Sequence, residues 1–324
     1  MLKVGLVGTG YAARLRADTL QGDERAELVA IAGHTPDKTA AFNQPYGAQI
    51  FESWQALIDQ SEIDLVIIAG VNRDHGAIAQ AALEADKHVV VEYPLSLDVV
   101  EAEAIVQLAK DSGKFLHVEH IELLSGIHQT ILEVLPAIAT PFYVRYASLN
   151  PQHPAPHKWT YQPELFGFPL VGALSRVNRL IDLFGSVSSV SGQARFWGGG
   201  NSSSFYTSCM CTAQLQFTSG LIADVIYGKG EAIWQADRTL TVQGEQGAIV
   251  IDGEQGQLIQ ANETKPLTVG SRRGLFAKDT GMVLDHLTTG APLYVTPEQS
   301  LYALKVADAI RRSVEVGDRI QLEE

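Results

Sequence analysis

Gly8, Gly10 and Ala13 make a GxGxxA spacing in Val4-Gly5-Leu6-Val7-Gly8-Thr9-Gly10-Tyr11-Ala12-Ala13, where an apolar strand pattern runs straight into a helical one. In that context the glycines allow a tight turn and a close approach of backbone to a pyrophosphate, which rests on the helix N-terminus that Tyr11 and Ala12 open. The chemistry indicated is hydride transfer with a dinucleotide. An NAD-preferring site ends its second strand in Asp or Glu to bind the ribose 2′-hydroxyl, but here the strand leads into Gly33-His34-Thr35-Pro36. No carboxylate stands there to repel a 2′-phosphate, and His34 and Thr35 can donate hydrogen bonds to one, so NADPH is the expected cofactor. Lys38 could add charge, though a solvated helix residue is its simpler reading. Arg14 and Arg16 could face the pyrophosphate or the substrate, with solvent as their default.

His117 and His120 flank Glu119 and invite a metal reading. Their spacing lacks the HExxH form and no third ligand is evident, so no metal is expected.

Around these residues, positions 2 to about 121 alternate short β-branched runs with helical stretches: LKVGLVG, RLRADTLQG, AELVAIAG, then IDLVIIAG, HGAIAQAALEA, HVVVEY and DVVEAEAIVQLAKDSG before FLHVEH. Strand, helix, strand at this spacing implies a parallel sheet with right-handed crossovers, and Gly113 reads as a helix stop. Beyond residue 122 a helix over Ile127–Leu135 and a loop over Pro151–Pro169 precede a helix over Gly172–Phe184. Gly-punctuated runs such as VSSVSGQARFW, TSCMCTAQLQFT and LIADVIYGKG follow, with a mobile turn expected over Gly198–Ser204. The expected fold class is α/β: an N-terminal Rossmann-type, doubly wound parallel sheet over residues 1–121, then an α+β domain over 122–324. That second domain carries a large, open, mainly antiparallel sheet and a closing amphipathic helix over about 298–316.

With 324 residues, 46% hydrophobic and 19% charged, the chain can bury a sizeable core in two domains. A net charge of −13 with no basic tract argues against nucleic acid and anionic membranes as partners, so an anionic ligand needs a local basic pocket. No apolar run approaches a membrane span and no leader precedes the first strand, so a cytoplasmic location is expected. Cys209 and Cys211, two apart on a strand-like run, share a face but are poorly placed to bridge, which suits a reducing compartment.

The fingerprint, Asn72-x-x-His75, and Lys87-His88-Val89-x-x-Glu92-x-Pro94 together resemble the glucose-fructose oxidoreductase/inositol dehydrogenase family. The resemblance implies a two-domain fold with an open-sheet second domain, and adds Asn72, His75 and Glu92 to the cofactor-binding residues. In most of that family the second motif reads Glu-Lys-Pro, and a later helix carries an Asp and a His that complete a site for sugar alcohols. Here the three positions are Tyr93, most nearly Ser175, and most nearly Arg179. Hydride transfer at an alcohol or carbonyl needs a group that moves a proton to or from oxygen at a useful pKa, and arginine is always protonated. Polyol chemistry is thereby disfavoured, and a large, conjugated, anionic acceptor fits better.

Glu92-Tyr93-Pro94, His117-Val118-Glu119-His120-Ile121-Glu122-Leu123-Leu124, Phe166-Gly167-Phe168-Pro169, Ser175-Arg176, Trp159-Thr160-Tyr161 and Gly270-Ser271-Arg272-Arg273-Gly274-Leu275-Phe276 resemble the biliverdin-reducing branch of that family, its cyanobacterial members above all. What this implies is NADPH-dependent reduction of the central methine bridge of biliverdin to bilirubin. On that resemblance the catalytic candidates are Arg176, Tyr93, Glu119 and Glu122. The substrate-binding candidates are Arg176, Arg179, Tyr93, Arg272 and Arg273. Arg179 lies one helical turn from Arg176 and shares its face. Glu92 and Glu122 could equally brace a loop, and Arg272 and Arg273 could hold propionates or reach a 2′-phosphate. Two alternatives remain: a polyol or sugar dehydrogenase of the same fold, and a catalytically silent NADP-binding regulator. A monomer is favoured over a dimer.

Overall fold

The computed structural model describes residues 1–198 and 204–322; of the turn expected over Gly198–Ser204, residues 199–203 lie outside the described residues. Two units divide the chain. The first comprises Met1–Ile121 with Gly274–Tyr302, and the second Glu122–Arg273 with the chain from Ala303 onward.

In the first unit, strands β1 (Leu2–Val7), β2 (Ala26–Ala32), β3 (Gln49–Phe51), β4 (Leu65–Ile68), β5 (His88–Val91) and β6 (Leu116–Val118) form a sheet of order β3-β2-β1-β4-β5-β6. All neighbouring pairs are parallel. The crossovers carry helices α1 (Tyr11–Gln21), α2 (Pro36–Asn43), α3 (Trp54–Ile58), α4 (Asn72–Glu84) and α5 (Val99–Ser112). Helices on both faces explain why β4 is buried at every position and reads as a continuous apolar run rather than an alternating one. Helix α5 starts where the Asp98 side chain accepts from Glu101 N, and stops at Gly113 in the left-handed conformation, as its sequence implies. The strand order reverses between β1 and β4, and in open α/β sheets ligands bind at such a switch point.

Gly274–Tyr302 belongs to this unit, whereas a single cut after residue 121 leaves it with the second. The reason is packing: Val283 and Leu284 are buried in the same core cluster as Val4, Leu6, Ala13, Ala17 and Leu20.

The second unit holds helix α6 (Gly126–Val134) and, among the described residues, a nine-stranded sheet. Its strands are β7 (Pro141–Pro151), β8 (Val187–Trp197), β9 (Ser208–Phe217), β10 (Ile222–Gly230), β11 (Thr239–Gly244), β12 (Gly247–Asp252), β13 (Gln255–Gln260), β14 (Glu263–Thr268) and β15 (Ile320–Gln321). Their order is β14-β13-β12-β11-β7-β10-β9-β8-β15, antiparallel throughout except for the β7–β10 pair. Helices α7 (Pro163–Phe166) and α8 (Pro169–Gly172) lead into α9 (Ser175–Phe184). The single helix expected over Gly172–Phe184 thus begins three residues later, after a separate turn. Gly172 packs so closely on Phe166 that a Cβ there would strike its carbonyl and ring, and the chain breaks before α9. Later in the chain come α10 (Leu275–Thr289), which belongs to the first unit and has no counterpart in the sequence-based expectation, and α11 (Pro297–Val316). Cys209 and Cys211 are free, buried thiols on β9. Among the described residues, no helix is long and apolar enough to cross a membrane.

Candidate active site

At the end of β1, Gly8 adopts φ +125 and its amide donates to the Ala32 carbonyl at 2.9 Å. A Cβ at Gly8 would run into the Ala69 carbonyl, so only glycine fits this turn. Gly10 caps α1 with no side-chain hydrogen bond, no acidic residue follows in the first turn, and a Cβ on Gly10 would meet open space. Unsatisfied amides under an unobstructed surface suit a pyrophosphate. Tyr11 is exposed and Ala12 half-buried, while Ala13 is buried against the sheet. At the end of β2, His34 is exposed, Thr35 caps α2, and Lys38 is exposed. Asn72 and His75 lie buried in the first turn of α4. His75 Nδ1 is hydrogen-bonded to the Pro94 carbonyl at 2.9 Å, and burial lowers its pKa, so the ring is neutral and holds the Tyr93–Pro94 segment from behind.

A buried ionic network lies below this segment. Arg16, expected to face solvent by default, is fully buried: its Nε donates to Glu92 Oε1 at 2.7 Å, and its Nη1 to Asp279 Oδ2 at 2.7 Å and Thr280 Oγ1 at 3.0 Å. The correction has a simple cause. Arg16 falls on the same face of α1 as Ala13, Ala17 and Leu20, and α10 supplies the carboxylate that pairs it. Asp279 Oδ1 also accepts from His117 Nε2 at 2.8 Å and from Tyr294 OH at 2.6 Å. Burial alone would raise the Asp279 pKa, but Arg16 and His117 overrule it and hold the carboxyl well below its ordinary range.

Glu119 is buried beside this network, hydrogen-bonded to Glu92 and accepting from the Ile121 amide. Burial first, then the Glu92 and Asp279 charges, push its pKa well above the ordinary carboxylate value, against the pull of Arg16. Two carboxyl groups that share a hydrogen bond hold a proton between them, and burial beside Glu92 favours the protonated form of Glu119. Tyr93 stacks on His120, with ring centroids 5.5 Å apart and planes 6° from parallel. His120 Nε2 is hydrogen-bonded to Ser300 Oγ at 2.8 Å, so the two histidines around Glu119 serve different partners.

In the second unit α9 presents the arginines. Arg179 is buried: its guanidinium donates to Tyr146 OH at 2.9 Å, Glu122 Oε2 at 2.6 Å and Ser125 Oγ at 3.1 Å. Arg176, half-buried, donates to Ser175 Oγ at 3.0 Å and Ser148 Oγ at 3.4 Å, with its guanidinium 5.5 Å from the Tyr227 ring centre. Exposed Arg272 pairs with Glu122, while Arg273 is exposed. Burial would raise the Glu122 pKa, but Arg179, Arg272 and Arg176 lower it, so Glu122 stays ionised among three cations.

The structure thus gathers Arg16, Glu92, Glu119 and His117 in one unit and Glu122, Arg176, Arg179 and Arg272 in the other. Sequence reasoning missed Asp279, Tyr294, Ser148, Tyr227 and Lys229. A lone Asp279 carries no motif; the flanking Gly274 and Gly290, both left-handed, were the available signal that a helix lay between them.

Residues 2–120 match the model of an oxidoreductase family with an NAD-binding Rossmann fold, and residues 137–322 match the C-terminal α/β domain of that family. The crystal structure of biliverdin reductase from Synechocystis sp. PCC 6803, in complex with biliverdin and NADP+, is 52% identical and superposes with a TM-score of 0.95 over 97% of this chain and 99% of that one. Biliverdin reductase A of Mus musculus is 29% identical over 191 residues, 58% of this chain and 60% of that protein. The Homo sapiens protein of the same name is 30% identical over 139 residues, 43% of this chain and 44% of its own length. The chain therefore aligns with less than two thirds of the length of either mammalian relative.

Proposed function

The chain belongs to this oxidoreductase family, the glucose-fructose oxidoreductase/inositol dehydrogenase family of the motif reading, and from that premise we propose that it reduces the central methine bridge of biliverdin to give bilirubin, with NADPH as cofactor. The observation that carries the reading is the 52% identity, over nearly the full length of both chains, to a biliverdin reductase holding biliverdin and NADP+.

Gly8, Gly10, Tyr11, Ala12 and Ala13 fit a pyrophosphate, since the Gly8 turn excludes a side chain and the α1 amides are uncapped. His34 and Thr35 would receive the 2′-phosphate, and Asn72, His75 and Glu92 would serve the nicotinamide end. Bound there, NADPH supplies a hydride. The chain's own residues must then tolerate negative charge spread over a conjugated tetrapyrrole and deliver a proton to a ring nitrogen. Arg176 and Arg179 carry fixed positive charge for the first task. Glu119, whose protonated form is favoured by burial beside Glu92, would serve as a proton store for the second. Tyr93 offers a flat ring and a phenol, Glu122 orients Arg179, and Arg272 and Arg273 offer charge for the propionates. We place the protein in the cytoplasm as a monomer, in keeping with its two free buried thiols.

The test is to mix the protein with NADPH and biliverdin and follow the visible spectrum, with NADH in parallel. Loss of the long-wavelength bilin band and growth of a yellow product, faster with NADPH, is expected. Binding of both ligands without conversion would mean a silent regulator, and activity on polyols but not bilins would mean a dehydrogenase. Unchanged turnover in Arg176→Ala would remove Arg176 from the mechanism.

A further inference from the structure

The second unit buries a lysine that no motif singled out. Lys229 lies on β10, two residues beyond Tyr227 and on the same face of the strand, and is 7% exposed. Its ammonium donates to the Thr160 carbonyl and sits 4.0 Å from the ring centre of Phe166, 4.7 Å from that of Tyr161 and 5.6 Å from that of Tyr206. Among the described residues no carboxylate forms an ion pair with it. An ammonium held by three ring faces and one carbonyl is only partly compensated for lost hydration. If packing were all that mattered, methionine would fill the box at lower cost. Arg176, whose guanidinium lies over the neighbouring Tyr227, acts on Lys229 as a like charge. Arg176, Arg179 and Arg272 all act on the Glu122 carboxylate. This part of a chain with net charge −13 is therefore locally positive, the condition an anionic ligand requires.

We propose that Lys229 is a positioning residue for a carboxylate-bearing ligand: it fixes the Thr160–Tyr161 turn and, with Arg176, maintains the positive potential that draws the anion to this part of the second unit. The proposal rests on the bilin-reductase reading and names the feature of biliverdin, its propionates, that this potential serves.

Its distinguishing consequence is a pH dependence. Burial, then repulsion from Arg176, lower the Lys229 pKa to about 8, against a raising influence of Cys209. The groups that face it from the surrounding elements are Cys209 on β9, Tyr206 before it, Tyr227 on β10, Tyr161 in the turn and Arg176 on α9, with Glu231 acting on Tyr161. Burial pushes the Cys209 thiol up, the Tyr161 phenol up to about 12 and the Tyr206 phenol up as well. Arg176 does not titrate in this range. Loss of bilin affinity near pH 8 thus reports Lys229.

The experiment measures KM and kcat for biliverdin at saturating NADPH from pH 6 to 9.5 in the wild type, Lys229→Met and Lys229→Arg. The wild-type KM is expected to rise on the order of tenfold through pH 8 while kcat changes little. Lys229→Met should show the raised KM already at pH 6.5 and a flat profile. Lys229→Arg should keep the low KM to the top of the range, which separates charge from packing. A Lys229→Met enzyme that retains the wild-type rise, or whose KM at pH 6.5 is unchanged, overturns the proposal alone. A wild-type protein that neither binds nor reduces biliverdin at any pH overturns the functional reading and this one with it.

Discussion

Replacing Asp279 by alanine should destabilise the protein far more than any surface carboxylate does. The side chain is fully buried and accepts three hydrogen bonds, from Arg16 at 2.7 Å, His117 at 2.8 Å and Tyr294 at 2.6 Å. Its loss leaves a fully buried guanidinium with Glu92 as its remaining ion-pair partner, and strands two buried donors. Breaking a buried pair by removing one partner costs about 3–5 kcal/mol, and each stranded donor adds to that only in part because the three bonds share one carboxylate. The folded-to-unfolded ratio should fall at least ~100-fold. Asp308 provides the contrast. It pairs with Arg311 at 2.7 Å, but the arginine side chain is 37% exposed, and such an i,i+3 pair is worth roughly 0.2–0.5 kcal/mol. Urea unfolding at pH 7, followed by far-UV circular dichroism, compares the two variants. Arg16→Met/Asp279→Leu should cost less than the sum of its two single changes, since each single change leaves a charge buried. An Asp279→Ala variant within about 1 kcal/mol of Asp308→Ala would refute the claim that this network holds the first unit together.

Gly8→Ala should abolish NADPH binding measured by fluorescence or calorimetry, because a Cβ at φ +125 is strained and collides with the Ala69 carbonyl; retained affinity would show that the turn can relax. The stability–pH profile should carry two opposed signatures. Asp279 is held below its ordinary pKa, so its stabilisation is present above the unfolded value of about 3.9 and is lost as pH falls through the folded value. Glu119 is raised, so its contribution is present below about 4.3 and is lost as pH rises through the folded value. Tm measured from pH 3 to 9 should therefore flatten on the acid side in Asp279→Asn and from about pH 4.3 upward in Glu119→Gln. An unchanged slope in Glu119→Gln would dismiss the proton shared with Glu92.

The parallel sheet was legible because its information is local: each strand is an apolar run, each helix starts and stops on its own caps, and GxGxxA joins β1 to α1 within ten residues. The antiparallel sheet was legible in kind for the same reason. What escaped was non-local. Arg16 reads as a solvated helix charge until Asp279, 263 positions away, arrives beside it. Helix α10 carries Gly281 and a Thr-rich end, which weaken its pattern, and its attachment to the first unit depends on Val283 and Leu284 finding a core built by residues 4–20. Glu122 was left open between brace and catalyst. In the structure it binds Arg179 and Arg272, so the contacts a brace would make are visible.

The distribution of ionisable groups also bears on which chemistry the fold can support. A polyol oxidoreductase must move a proton at an oxygen with every turnover, so it needs a group that titrates freely where the alcohol binds. At the family's Lys position, and at the residues most nearly in its Asp and His positions, this chain has a phenol stacked on His120, a serine and a permanently charged guanidinium bonded to Glu122, Tyr146 and Ser125. None of these cycles a proton readily near neutrality. In the first unit the group that burial and neighbouring carboxylates push toward its protonated form is Glu119, against the pull of Arg16. In the second unit the arginines carry fixed charge, and burial lowers the Lys229 pKa to about 8. The proposed reduction of a conjugated anion would make both demands: standing positive potential for delocalised charge, and one proton for a ring nitrogen. On the proposed function, Tyr93 and Arg179, at or nearest the family's Lys and His positions, fit a change in the kind of charge to be stabilised better than the loss of a catalyst.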